Sequence, residues 1–169
     1  TAMVLQALAP YYGTNAEVKS AVDEALKCLS DLQNSDGGYA SWGTTNSESC
    51  AQVITALTAL GIDPDNDSRF VKNGNSVVDA FLSFYVEGGG FAHVAGGGVN
   101  GMATEQGYYT LAAYSRWVNG QTSLYDMSDV EIEAGGNTDS GDNTGEEPAA
   151  KPDTGNVPKT GDTSDMLPW

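Results

Sequence analysis

Apolar residues recur at helical spacing in five segments of this chain. In Val18–Leu32 and Val77–Tyr85 the apolar positions form one stripe and polar residues take the opposite side, which predicts helices with one face in water. In Thr1–Ala9, Ser49–Leu60 and Met102–Trp117 the apolar residues extend further round the helix, which predicts burial on both sides. We therefore expect three inner helices covered by two outer ones.

Two glycine-aromatic turns join the outer helices to the inner ones. The first is Asp36–Tyr39, with the sequence Asp-Gly-Gly-Tyr, and the second is Gly88–Phe91, with the sequence Gly-Gly-Gly-Phe. Glycine reaches positive φ without a Cβ clash, so these residues favour a sharp reversal. Tyr39 and Trp42 are expected to pack against helix ends. The helical segments recur about every 50 residues, which is typical of repeat architectures.

The composition changes from about Ser128 onward. Residues 130–157 are Gly, Asp, Glu, Asn, Thr and Pro with almost no apolar side chains, and such a stretch cannot repay the entropy lost on ordering. We therefore expect a folded repeat region at residues 1–127, a disordered acidic linker at 128–156 and a terminal signal at 157–169. Thr1 follows no start Met, and we expect both ends to be cut from a longer protein.

The charge of the chain restricts its partners. The net charge is −16 and the isoelectric point is about 4.1, which argues against nucleic acid and against anionic membrane surfaces as partners. The sequence has no run of eighteen or more apolar residues of the kind that spans a bilayer. We therefore expect no membrane contact in this stretch.

The two cysteines leave two outcomes open. Cys28 lies near the end of one predicted helix and Cys50 near the start of its antiparallel partner, so the two thiols could approach. A disulfide is permitted in an exported protein. The alternative is two small buried apolar groups.

One segment of the folded region resembles a known repeat. Gln33, Asp36–Tyr39 and Trp42 resemble the glutamine-tryptophan motif of the prenyltransferase and squalene-oxidase repeat family, and the resemblance covers about residues 1–125. That likeness implies a terpenoid cyclase-like α/α toroid, whose inner helices line a central cavity. The fold class expected is all-α: a partial toroid of about five helices followed by a disordered acidic tail. This arrangement has no β-sheet between residues 1 and 120.

The enzymes of that superfamily need groups that this segment does not supply. Asp63–Asp67 lacks the adjacent aspartates of a cyclase acid, and Ala103 stands where thioester domains carry their cysteine. His93 is the only histidine, and neither Cys28 nor Cys50 belongs to an Asp-x-Cys pair, so a tetrahedral zinc site is poorly provided for. We therefore expect no catalytic residue, no metal site and no cofactor here. An enzyme whose catalytic residues lie outside this segment remains an alternative.

The third inner helix holds the candidate ligand contacts. Glu105, Tyr108 and Tyr109 lie in its first turns, where they would face any central cavity. The alternative is that they are packing and capping residues. A small-ligand carrier resembling the cobalamin binders is the function that this set would favour.

The end of the chain resembles the sortase sorting signal Leu-Pro-x-Thr-Gly. Its five positions are taken in order by Val157, Pro158, Lys159, Thr160 and Gly161. The resemblance implies that a sortase cysteine attacks the Thr160 carbonyl, that Gly161 leaves, and that an amine of peptidoglycan accepts the acyl group. It also implies an extracellular location on a Gram-positive cell wall. The function expected is a non-catalytic binding or adhesion module for an unknown ligand or host surface.

Overall fold

The computed structural model describes residues 1–131, which contain five α-helices. Of the linker predicted at 128–156, only residues 128–131 are described, and the sorting signal at 157–169 lies outside the described residues. The helices are α1 Ala2–Leu8, α2 Ala16–Leu32, α3 Ser47–Ala59, α4 Val77–Leu82 and α5 Gly101–Val118. Short 3₁₀ turns follow α1 at Ala9–Tyr11 and precede the second hairpin at Ser68–Phe70.

Two small antiparallel β-sheets lie between the helices, so the prediction of an all-α partial toroid is wrong. The first pairs β1 Ala40–Ser41 with β2 Thr44–Thr45, and the second pairs β3 Val71–Lys72 with β4 Asn75–Ser76. Both sheets lie between residues 1 and 120, where the predicted toroid contains no β-strand.

The turn residues explain why these hairpins form. Trp42 and Gly43 have φ of 52° and 80°, and Asn73 and Gly74 have φ of 52° and 83°. Positive φ at both central residues is typical of the type I′ turn, whose twist matches that of a two-stranded ribbon. Asn-Gly is the pair that most favours this turn. Trp42 stands at the tip of its hairpin and is fully exposed, which contradicts the expectation that it packs against a helix end.

Helix α3 lies at the centre of the described fold. It contacts α1, α4 and α5, whereas α2 packs against α1. Nine residues of α3 are buried, but α2 buries only one stripe. This difference follows from the polarity of the two sequences. The largest fully buried side chains are Phe70, Phe81, Phe91, Leu5, Leu26, Ile54 and Leu57.

Gln33 joins the first glycine turn to the chain that enters the second hairpin. Its side-chain amide nitrogen donates to the carbonyl of Gly37 at 2.8 Å and to that of Phe70 at 2.7 Å, and the residue is 8% exposed. A Cβ on Gly37 would lie 2.5 Å from the Ser76 carbonyl oxygen. The turn and β4 therefore approach so closely that only glycine fits between them.

Aromatic rings fill the region between α4 and α5. Phe91 stacks on Phe81 with ring centroids 4.7 Å apart, and Gly107 of α5 lies directly over the Phe91 ring, where a Cβ would overlap it. Tyr39 of the first turn is buried, and its hydroxyl donates to the Leu29 carbonyl at 3.1 Å. The Phe91 ring of the second glycine-aromatic turn thus packs directly against the backbone of α5.

Candidate binding face

A chain of side-chain hydrogen bonds crosses α1, α3 and α5. The Gln6 amide nitrogen donates to the Gln52 carbonyl oxygen at 3.1 Å and to the Gln52 side-chain oxygen at 2.9 Å. The Gln52 amide nitrogen in turn donates to the Gln106 side-chain oxygen at 3.0 Å and to the Tyr109 hydroxyl. We call these four residues the polar ladder. They are half-buried, and they are held in place by one another.

The hydrogen bonds of the ladder run in one direction. Each donated bond points from α1 towards α5, and no donor among residues 1–131 bonds the Gln6 side-chain oxygen. The ladder therefore ends in an acceptor on α1. At the α5 end, burial raises the pKa of Tyr109 to about 12, with a further contribution from nearby Tyr125. Tyr109 consequently keeps its proton throughout the physiological range.

Of the three candidate ligand contacts, the structure places only Tyr109 in the ladder. Glu105 is exposed on α5. Tyr108 is 52% exposed and lies edge-on to Phe91, with ring centroids 6.2 Å apart. Neighbours in sequence point about 100° apart on a helix, which separates Tyr108 from Tyr109.

A cavity of about 580 Å³ lies beside the α1 end of the ladder. Its volume is within the range of small-molecule sites. Gln6 and Tyr125 also line an adjoining cavity of about 350 Å³, and the Tyr125 side chain is 67% exposed. The residues that line the larger cavity are Gln6, Ala9, Pro10, Ala59, Ser123, Tyr125 and Asp126.

The segment after α5 is fixed to the helices by one arginine. The Arg116 guanidinium donates to the Thr122 carbonyl at 2.8 Å, to the Thr122 hydroxyl at 3.1 Å and to the Asp129 carboxylate. The Thr122 hydroxyl also donates to Asp129 at 2.6 Å. These bonds hold the pKa of Asp129 below its ordinary value. We call the hydrogen bonds among Arg116, Thr122 and Asp129 the Arg116 clamp. They close the loop that places Tyr125 beside the cavity.

The remaining polar candidates take part in hydrogen bonds within the fold. The Asp63 carboxylate accepts the backbone N–H groups of Asp65 and Asn66 at 2.9 and 3.1 Å, which is an Asx turn. His93 lies 2.8 Å from the Glu48 carboxylate and is exposed. Within residues 1–131, no group of three or more His, Cys, Asp or Glu side chains could hold a metal ion.

The structure leaves both thiols free. Cys28 is exposed on α2, whereas Cys50 is buried under the first turn, where its Sγ accepts the backbone N–H of Tyr39 at 3.4 Å. Burial raises the pKa of Cys50 to about 12. The candidate disulfide is therefore not formed, because one thiol faces outward and the other faces the core.

The ladder glutamines and Tyr125 were not predicted as site residues. For the glutamines the sequence does contain a signal, since Gln52 is a long polar residue within the most apolar helix.

Among the described helices, none combines the length and hydropathy that crossing a membrane requires. Comparisons of the chain with models of protein families, with curated proteins and with solved structures find no match.

Proposed function

We propose that this chain is a non-catalytic binding module that a Gram-positive bacterium displays on its cell wall. The observation that carries the binding role is the polar ladder beside an open cavity. The display role rests on the sequence at Val157–Gly161, outside the described residues.

The ladder is suited to binding because its groups are already positioned. A free glutamine side chain loses roughly 1.5–2 kcal/mol of rotamer entropy when it is fixed. In the ladder, Gln6 and Gln52 are fixed by their own hydrogen bonds before any ligand arrives. A ligand that bonds the free Gln6 oxygen therefore avoids much of that cost, which is the general advantage of preorganisation.

The tail proposal can be tested by acyl transfer. The full chain is incubated with a sortase and a triglycine nucleophile, and the products are weighed by mass spectrometry. We expect cleavage between Thr160 and Gly161, with triglycine joined to Thr160. Thr160→Ala should abolish the product, whereas Thr154→Ala, in the poorer copy at residues 151–155, should leave it unchanged. A chain that stays intact, or is cut only after Thr154, would refute display through this signal.

The binding role can be tested without knowing the ligand. A panel of sugars, amino acids, nucleosides and cobalamin is added to the ¹⁵N-labelled full chain, and side-chain amide resonances are followed by NMR. We expect at least one compound to shift Gln6 and Gln52 before other residues. Gln52→Leu, which breaks the ladder on both sides, should remove that response. A panel that shifts only residues remote from the ladder would refute this binding face.

A further inference from the structure

We propose that the cavity beside Gln6 and Tyr125 binds a neutral saccharide, stacked on the Tyr125 ring and hydrogen-bonded to Gln6, Ser123 and Asp126. This inference rests on the proposed binding role and adds the chemical class of the ligand.

The walls of the cavity suit a sugar ring. Tyr125 offers an aromatic face that is 67% exposed, and Ala9, Pro10 and Ala59 supply small apolar surfaces around the same space. A pyranose has an apolar face of C–H groups and an edge of hydroxyls, and aromatic side chains combine a large flat apolar surface with a polar tip. The volume of about 580 Å³ accommodates one or two such rings.

The polar groups of the cavity are mainly acceptors. The Gln6 side-chain oxygen is the free end of the ladder, Asp126 contributes a carboxylate, and Ser123 contributes a hydroxyl that can accept or donate. A ligand with several hydroxyl donors on one edge satisfies all three. Gln6 lies on α1, whereas Ser123 and Asp126 lie in one turn after α5, so a ligand with a single donor would leave one of these two sides to water.

The charges argue against an anionic ligand. None of the described residues that line the cavity is Lys, Arg or His, and the chain carries a net charge of −16. Phosphates and carboxylates would therefore meet repulsion without a counter-charge. A quaternary ammonium such as choline could stack on Tyr125 beside Asp126, but its single hydroxyl donor would bond only one of the polar groups that Gln6, Ser123 and Asp126 provide.

The full chain is titrated by NMR with glucose, galactose, N-acetylglucosamine, N-acetylneuraminic acid and choline, each to about 10 mM, which detects weak binding. We expect a neutral sugar to shift Gln6, Ser123 and Tyr125, with no response to the anionic sugar or to choline. Neutral oligosaccharides from host mucin and glycan strands from bacterial wall are then compared, because the same chemistry occurs in both sources.

Two tyrosine variants provide the matched comparison. Tyr125→Ala should weaken sugar binding about two- to tenfold, which is the range that an aromatic contact typically contributes. Tyr11→Ala removes a tyrosine that is 57% exposed and lies outside the cavity, and it should bind as the wild type does. Both rings are exposed, so neither variant should alter folding.

Three results would overturn the saccharide assignment: no response to any neutral sugar, equal affinity in Tyr125→Ala, or binding of choline in preference to sugars. If another compound shifts the ladder and the sortase still cuts after Thr160, the broader proposal stands and only the ligand class fails. If no compound of the wider panel shifts the ladder, the binding role fails with it.

Discussion

Replacing Gln33 by leucine tests the bond that joins the first turn to the second hairpin. Leucine removes the donor to the Gly37 and Phe70 carbonyls. Each buried acceptor left without a partner costs about 1–3 kcal/mol. Leucine also removes the Gln33 side-chain oxygen, which is buried without a partner, and this recovers about 1–3 kcal/mol. The net loss of unfolding free energy should be about 1–3 kcal/mol.

Urea denaturation followed by circular dichroism measures this loss. Gln121→Leu is the control, because Gln121 is exposed and its variant should unfold within about 0.5 kcal/mol of wild type. A Gln33→Leu protein as stable as the control would refute the role of these bonds.

The Gln33→Glu variant tests the direction in which stability changes with pH. A carboxylate would face the same two carbonyl oxygens without a donor, so burial should raise its pKa in the folded state above the ordinary value of about 4.3. The variant should therefore be most stable below that value and lose stability as pH rises through the folded pKa. A stability difference between Gln33→Glu and wild type that does not change between pH 4 and pH 7 would contradict this reasoning.

Three further changes probe the packing. Gly107→Ala should destabilise by about 1–2 kcal/mol in urea melts, since overlap with the aromatic ring beneath it outweighs the gain in helix propensity; Gly101→Ala, which meets open space, should be neutral or slightly stabilising. Trp42→Asn should raise stability by about 0.5–1 kcal/mol, because asparagine tolerates positive φ and the indole buries nothing; a loss would show that the indole makes contacts. A disulfide-exchange reagent should label Cys28 within minutes at pH 8 and Cys50 only on unfolding; equal rates would show that Cys50 is accessible.

The helices could be predicted from the sequence, but the hairpins between them were missed. Apolar periodicity over a dozen or more residues located α3 and α5 to within two residues of their observed ends. Strands of two residues are too short to show a period of two. The available signal was local chemistry, Asn73-Gly74, which favours a type I′ turn whatever its flanks. A family likeness that implies helices alone has no place for this turn.

The binding face was harder to predict because it depends on how three helices are aligned. Gln6 and Gln52 are 46 positions apart, and Gln52 and Tyr109 are 57 apart. Sequence periodicity says which side of one helix is polar, but the sliding of one helix along another is set by packing of side chains. The polar ladder is therefore a property of tertiary structure, although an isolated Gln52 in an apolar helix was a clue.

The position of the Arg116 clamp has a mechanical consequence. If the chain is tethered to the wall beyond residue 131, a pulling force enters the described fold at that end and reaches Asp129 before it reaches any helix. The bonds to Thr122 and Asp129 would then bear the load first. Their rupture would release the loop that carries Tyr125, so tension on the tether would disrupt the proposed binding cavity.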